Sequence, residues 1–317
     1  MDRIISVSII IPNYNNSLYL GDCIESCLNQ GLEDYEIIVV DDHSTDGSLQ
    51  VLEKYQRHNP YIIRVYTNKN KGACAARNYG YELSKGEFIQ FLDSDDLLSK
   101  NKINTQLNLL KQRPKAIANC GWIHFVEKPY DKDYRPQIID KSYSNPLSWL
   151  IDSWNGGGMG QTGCWLIPRT LIKKAGLWNE TLLKNQDGEF ICRVILQCNS
   201  IEFSSSNFVY YRKGINSVSN RSNFSAAKSV LESYKAYEII LKKEDNHRIR
   251  TALSKNYSSF IYLFYNRYPS LRTKAIQNIK DLGCEVRVCF SMNILDRLSQ
   301  IIGLSNTMKL RKIFKGY

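Results

Sequence analysis

The sequence predicts an open α/β fold built on a mostly parallel sheet, with a helical extension after it, and three observations carry that expectation. Strand and helix signals alternate through roughly the first 120 residues. Each acidic cluster of that stretch follows directly on a strand-like run. From Ser225 onward the strand signals give way to apolar residues at helical spacing.

The first strand is the β-branched run Val7-Ser8-Ile9-Ile10-Ile11, stopped by Pro12-Asn13-Tyr14-Asn15-Asn16. Leu20, Cys23, Ile24, Cys27 and Leu28 then recur at helical spacing, which predicts a helix from Leu18 to Gln30. A second strand, Tyr35 to Val40, ends at Asp41-Asp42. The helix expected next, Ser48 to His58, has Thr45, Asp46 and Ser48 as capping oxygens. Ile62 to Tyr66 reads as a strand, Gly72 to Leu83 as a helix, and Phe88 to Leu92 as a strand closing on Asp93-Ser94-Asp95-Asp96. In open parallel sheets ligands bind at that carboxyl edge, because strand ends and helix N-termini converge there.

From about residue 115 the pattern loosens into strands and loops, including the glycine-rich stretch Asn155 to Gly160. Helices are expected over Ala226 to Lys243, Arg248 to Tyr265 and Leu271 to Leu282, with further amphipathic helix between Ile294 and Phe314. The expected division is a domain over 1–224, with halves meeting near residue 115, and a basic helical region over 225–317.

Composition excludes several classes. The chain has 317 residues, 43% of them apolar, enough for a full core. Its 9 cysteines are odd in number and scattered without a CxxC pair, which argues against a disulfide framework or zinc site and for a reducing compartment. The N-terminus lacks the pattern of a signal peptide, and no stretch is long and apolar enough for a spanning helix. A cytoplasmic protein is expected, with any membrane contact peripheral and at the inner face. Charge is unevenly placed: residues 1–224 hold 25 Lys and Arg against 24 Asp and Glu, whereas residues 225–317 hold 17 against 7. A near-neutral body with a basic tail suggests a tail that meets an anionic surface, here expected to be a membrane, and no nucleic-acid partner is expected. Packing on the body or a homodimer contact is the alternative use of that tail.

Three acidic sites carry candidate chemistry. Asp93, Asp95 and Asp96 crowd into four residues, and like charges this close repel unless a cation neutralises them. Mg²⁺ or Mn²⁺ suits such a pair, since hard ions take carboxylate oxygens while bridging a diphosphate. A solvated acidic turn is the alternative. Asp42 can accept hydrogen bonds from a base or ribose, or cap the helix that follows. Lys71 and Arg77 lie in the first turns of a helix, placed to pair with phosphates or to stand on a solvated face. Asp187 and Glu189 precede an apolar run; Asp187 is the candidate general base, with a plain helix start as the other reading.

Taken in order, Val7 to Asn15, Ile38 to Ser48, Gly72 to Gly80, Gly86 to Asp96, Gly176 to Glu180 and Gln186 to Phe190 resemble family-two glycosyltransferases across roughly residues 5–220. The resemblance implies a GT-A fold, in which a Rossmann-like, mostly parallel sheet is flanked by helices. It implies a donor half over 1–115 and an acceptor half over 116–224. It also implies an inverting transfer from a nucleoside diphosphate sugar, with uridine the expected nucleoside, to a hydroxyl of a glycan or lipid-linked oligosaccharide in surface polysaccharide synthesis. By position, Pro12, Tyr14 and Asp42 would surround the base, Asp93 the ribose, and Arg77 the base or diphosphate. Asp95, assisted by Asp96, would contact Mg²⁺ or Mn²⁺, and Asp187 matches the catalytic base. Two departures stand out. Gln186 replaces a frequent glutamate, and Gly214 stands where many members carry a histidine that helps hold metal or diphosphate, leaving Arg212, Lys213 or neither for that task. A nucleotidyltransferase or dinucleotide-dependent oxidoreductase would show a glycine-rich turn after the first strand, which Pro12 to Asn16 lacks. A nucleotide-sugar-binding member that has lost catalysis stays open at this point.

Overall fold

The computed structural model describes residues 5–213, 222–265, 267–287 and 306–307. Gly214 and the tail segments Ile294 to Phe314 and Met308 to Lys315 lie largely or wholly outside those residues. The chain divides into two compact units. The first comprises the described residues up to Thr181 together with those from Gln186 through residue 213; the second comprises Leu182–Asn185 and the described residues from 222 onward.

The first unit is built on one eight-stranded sheet. Its elements run β1 (Val7–Asn13), α1 (Ser17–Leu28), β2 (Tyr35–Asp41), α2 (Ser48–His58), β3 (Ile63–Thr67), α3 (Ala73–Leu83) and β4 (Phe88–Phe91). They continue through β5 (Leu97–Leu98), α4 (Lys102–Leu110), β6 (Ala116–Phe125), α5 (Pro146–Asp152), β7 (Leu166–Pro168), α6 (Arg169–Ala175), α7 (Gln186–Ile195) and β8 (Ser200–Arg212). Across the sheet the order is β3-β2-β1-β4-β7-β6-β8-β5. β3, β2, β1 and β4 are parallel, as are β6 and β8, while β7 is antiparallel to both its neighbours and β5 to β8.

Burial on both faces explains the sequence of the parallel half. Every residue of β1 and β2 is buried, so these strands read as continuous apolar runs instead of alternating ones. Pro12 is tolerated inside β1 for a geometric reason. The Ile10 carbonyl accepts from Leu92 N on the β4 side, and the β1–β4 pairing ends at Ile10 opposite Phe91. Pro12 shares the parity of Ile10, so its missing N–H falls beyond the last rung. The order reverses between β1 and β4: β2 and β3 grow out on one side and β4 on the other. The turns after those two central strands therefore open onto a topological switch point.

The second unit contains α8 (Phe224–Ile240), α9 (His247–Phe264) and α10 (Pro269–Asp281). Asn223 and Asn246 cap α8 and α9 by accepting from the main-chain N–H groups of Ala226 and Ile249, and Pro269 opens α10 where no N–H is needed. The three helices bury one another through Val230, Leu231, Tyr257, Phe260, Leu271 and Ile279, which accounts for the helical spacing of these residues in the sequence. Among the described residues no helix is long and apolar enough to cross a membrane.

α3 lies so close to the sheet that Gly80 has no room for a side chain: a Cβ there would stand 2.5 Å from Ile10 Cγ2 and 3.4 Å from Val40 Cγ2. Gly80→Ala is expected to lower the urea unfolding midpoint by an amount equivalent to about 1–3 kcal/mol, the usual cost of overpacking a core. An unchanged midpoint would show that α3 can lift off the strands freely.

Candidate active site

The floor of the site is formed by three loops tied to one another. After β1, Asn13 Nδ2 donates to Asp41 Oδ1 (2.8 Å) and Ser44 Oγ (3.2 Å), while its carbonyl accepts from Asp42 N (2.7 Å). Asn15 adopts a left-handed backbone (φ 51°) that lets its Oδ1 accept from Thr45 N at 2.7 Å. Asp46 accepts from Ser17 N and Ser48 N (2.9 Å each), so one carboxylate serves the starts of α1 and α2, and these bonds hold its pKa down near 2 against the opposing effect of burial. Asn16 Nδ2 donates to Ser94 Oγ (2.8 Å), tying the first loop to the acidic turn after β4. Tyr14 stands out of this network, 60% exposed, while Pro12 is buried beneath it.

Asp42 does not cap α2. Its Oδ1 accepts from Asn68 Nδ2 (2.8 Å) and its Oδ2 from Gly72 N (2.9 Å), so it fixes the loop that leads into α3. Gly72 has φ 113°, a conformation that other residues adopt only with strain. Lys71 is exposed, whereas Arg77, one turn into α3, is buried.

Arg77 organises the opposite wall. Its Nη2 donates to Asp93 Oδ1 at 2.6 Å, and its guanidinium lies 4.5 Å from the ring centroid of Trp178. Trp178 in turn stacks on Phe190 of α7 (4.3 Å, 12° between planes), and Phe91 of β4 meets both rings edge-on. The neighbouring Asn78 clamps the Trp178 backbone, accepting from its N–H (2.9 Å) and donating to its carbonyl (3.0 Å). This train of contacts brings the first turn of α7, with Asp187, to the side of Arg77. Nε and Nη1 of Arg77 are buried without a hydrogen-bond partner, and unsatisfied cationic donors of that kind suit an anionic or hydroxyl-rich ligand.

The two carboxylates of α7 have separate fates. Glu189 is buried and held by Arg193, whose Nε and Nη2 donate to its two oxygens at 2.8 Å each. The same arginine donates to the carbonyls of Ala175, Gly176 and Leu177. Glu189 is thereby committed to joining α6 and α7. Asp187 stays half-buried, and withdrawal from solvent pushes its pKa up; Arg77 opposes that shift and Asp93 adds to it.

The acidic turn is anchored at every residue. Asp96 N bonds to Asp93 O at 3.1 Å to close it. Asp93 is paired with Arg77, and Asp96 is buried, with Oδ1 accepting from Arg212 N at 3.0 Å. Asp96 thus faces β8, whereas Asp95 has no side-chain hydrogen-bond partner among the described residues. Desolvation, with repulsion from Asp93, raises the Asp95 pKa to about 6, and Asp96 is pushed well up by burial and by both neighbours. Among the described residues no three His, Cys, Asp or Glu side chains gather into a ready-made cage. The carboxylate oxygens of the turn are hard donors, of the kind a divalent cation such as Mg²⁺ or Mn²⁺ takes.

The structure thus gathers Asp93, Asp95, Asp96, Arg77 and Asp187 of the expected residues into one region, with Asp42, Pro12 and Tyr14 across the loops after β1 and β2. Sequence reasoning left out the parts played by Asn78, Trp178 and Arg193. The i,i+4 spacing of Glu189 and Arg193 was a legible signal; the contact between Asn78 and Trp178 had none, being 100 residues apart.

These features define a GT-A glycosyltransferase. The family model of Glycosyl transferase family 2 matches residues 8–176, more than half of the chain, which belongs to that family. A relative named as a teichuronic acid biosynthesis glycosyltransferase, TuaG, of Bacillus subtilis is 40% identical over 128 residues; the match covers 40% of this chain and 51% of that one, about half its length. Among solved structures, S. aureus TarS in complex with UDP-GlcNAc superposes with a TM-score of 0.70 at 19% identity, covering 88% of this chain and 80% of that one. The mannosyltransferase PcManGT of Pyrobaculum calidifontis, in complex with GDP-Man and Mn²⁺, gives 0.52 at 13% identity over 87% of this chain and 80% of that one.

The raised pKa of Asp95 has a stability consequence in metal-free protein. A carboxyl whose folded pKa (about 6) exceeds its unfolded value holds its proton more tightly when folded, so this site loses stability as pH rises from about 4 to 6. Asp95→Asn is therefore expected to unfold at a higher temperature than wild type at pH 7.5 in chelator, with the gain vanishing as pH approaches 4. A gain independent of pH, or none, in thermal melts would contradict the buried repulsion.

Proposed function

We propose that this glycosyltransferase moves a sugar from a UDP-sugar to a hydroxyl of a glycan or lipid-linked acceptor, with inversion, in the building of a surface polymer. The observation that carries the reading is the placing of Asp187 at the start of α7, half-buried and raised in pKa, beside Arg77 and across from the acidic turn. A carboxylate made more basic by desolvation is suited to take the proton of an attacking hydroxyl. On this reading no covalent sugar intermediate forms, and the neighbouring Glu189 is committed to Arg193. Support for the donor class comes from the TarS neighbour, crystallised with UDP-GlcNAc, and for a polymer acceptor from the teichuronic acid relative.

On this reading Pro12, Tyr14 and Asp42 flank the base, Asp93 meets the ribose, and the unpaired nitrogens of Arg77 face donor oxygens. Asp95 is the carboxylate that would hold Mg²⁺ or Mn²⁺, with Asp96 supporting it from the buried side, and such a cation would supply positive charge toward the diphosphate. The protein's own part is to hold donor and acceptor in line and to keep the Asp187 carboxylate desolvated.

Asp187→Asn is expected to abolish transfer while leaving donor affinity nearly unchanged, because the base acts on the acceptor proton. Activity within tenfold of wild type, about 1.4 kcal/mol in barrier, would remove Asp187 from the role. Chelation should weaken UDP binding to wild type and leave Asp95→Ala unaffected; turnover that survives excess chelator would refute the metal.

The basic C-terminal region extends the proposal to a peripheral position at the inner membrane face. Its segment Met308 to Lys315 interleaves cations with apolar side chains, a pattern suited to a headgroup layer. Sedimentation with anionic vesicles is expected to fall with added salt and on deletion from Asn306 onward; equal binding to neutral vesicles would defeat it.

A further inference from the structure

Arg212 stands two residues before the position where a histidine is frequent in this family, and its surroundings give it a different task from ligand binding. Its side chain is only 5% exposed. Nε donates to the Asp95 carbonyl (3.1 Å), Nη1 to the Val126 carbonyl (3.3 Å) and Nη2 to Asp22 Oδ2 (3.3 Å), while the rings of Tyr19 and Phe125 each lie 4.4 Å from Cζ. Its own main-chain N–H reaches the Asp96 carboxylate. With each guanidinium nitrogen engaged and two aromatic rings against it, the side chain is walled off from a diphosphate.

The same contacts fix the acidic turn. Arg77 restrains Asp93, Asn16 restrains Ser94, and Arg212 takes hold of the two remaining residues, one by its carbonyl and one by its carboxylate. Among the described residues the Asp95 carboxylate is the one acidic group of the turn without a hydrogen bond to another residue. The geometry points to Arg212 as a positioning residue that presets the orientation of Asp95 toward a divalent cation without touching cation or nucleotide. This inference rests on the metal reading given above. A planar fork that reaches three acceptors in three directions is required for it, and a lysine ammonium on the same stem cannot span them.

The test uses the whole chain and two variants, Arg212→Lys and Tyr19→Leu. Mn²⁺ affinity is read from the free-ion signal in electron paramagnetic resonance with saturating UDP, beside UDP affinity and thermal unfolding in chelator. Arg212→Lys is expected to bind Mn²⁺ about 10–100-fold more weakly, as is usual for residues that orient metal ligands. Its UDP affinity without metal should stay near wild type, and excess Mn²⁺ should restore donor affinity. Mn²⁺ affinity within about threefold of wild type in a folded Arg212→Lys protein would overturn the inference. So would a loss of UDP affinity in chelator, which would make Arg212 a nucleotide contact. If Arg212→Lys does not fold, Tyr19→Leu decides by the same measure, with a clear loss of Mn²⁺ affinity expected. A wild-type protein that fails to bind Mn²⁺ with UDP present sinks the metal reading itself, and that arm is separate from the comparison among variants.

Discussion

Repulsion among the carboxylates at the carboxyl edge of the sheet is the constraint around which the site is built. Asp93, Asp95 and Asp96 sit on one tight turn with much of their solvent removed, and such a cluster would spring open without counter-charges. Two buried arginines supply them from opposite sides of the chain: Arg77, paired with Asp93, and Arg212, bonded to the carbonyl of Asp95 and to the carboxylate of Asp96 through its backbone. Each arginine lies against aromatic rings, which accept a guanidinium at less desolvation cost than an ammionium-type charge would incur. The compensation is incomplete at Asp95, whose pKa remains raised, and that residual strain is what a divalent cation would relieve.

The arginines themselves need support, and the sheet topology provides it. Because the strand order reverses between β1 and β4, the loops after these strands meet and can be laced by short polar side chains: Asn13 to Asp41 and Ser44, Asn15 to Thr45, Asn16 to Ser94. The asparagines that read as a plain turn after the first strand are thus a network that fixes the spacing between donor-side loops. On the other wall, Asn78 and the Trp178–Phe190 stack carry α7 to Arg77, so the same residues that steady an ion pair also place the proposed base.

Much of the fold was legible from local pattern. Helix α2 runs from Ser48 to His58 as its spacing predicts, β2 differs from its expected span by one residue, and α8, α9 and α10 fall within a few residues of their expected limits. These elements are set by periodicity and capping, which act over neighbouring residues. The second half of the sheet was less legible. β7 is only three residues long and antiparallel, and β5 only two, too short for a pattern to declare itself.

By itself the sequence determined the alternation of strands and helices, the acidic clusters at strand ends, the family, and the short set of carboxylates among which the chemistry must lie. The tertiary structure decided what each carboxylate does. Asp42 could equally have capped α2, but holds Asn68 and Gly72; Glu189 could have rivalled Asp187, but is bound to Arg193; Asp96 could have faced outward with Asp95, but turns to β8. The reason is separation along the chain: the bond from Arg212 to Asp96 spans 116 residues and that from Asn78 to Trp178 spans 100. A carboxylate's local sequence fixes its charge and backbone, whereas its partner, its solvent and hence its basicity come from residues that only folding brings near.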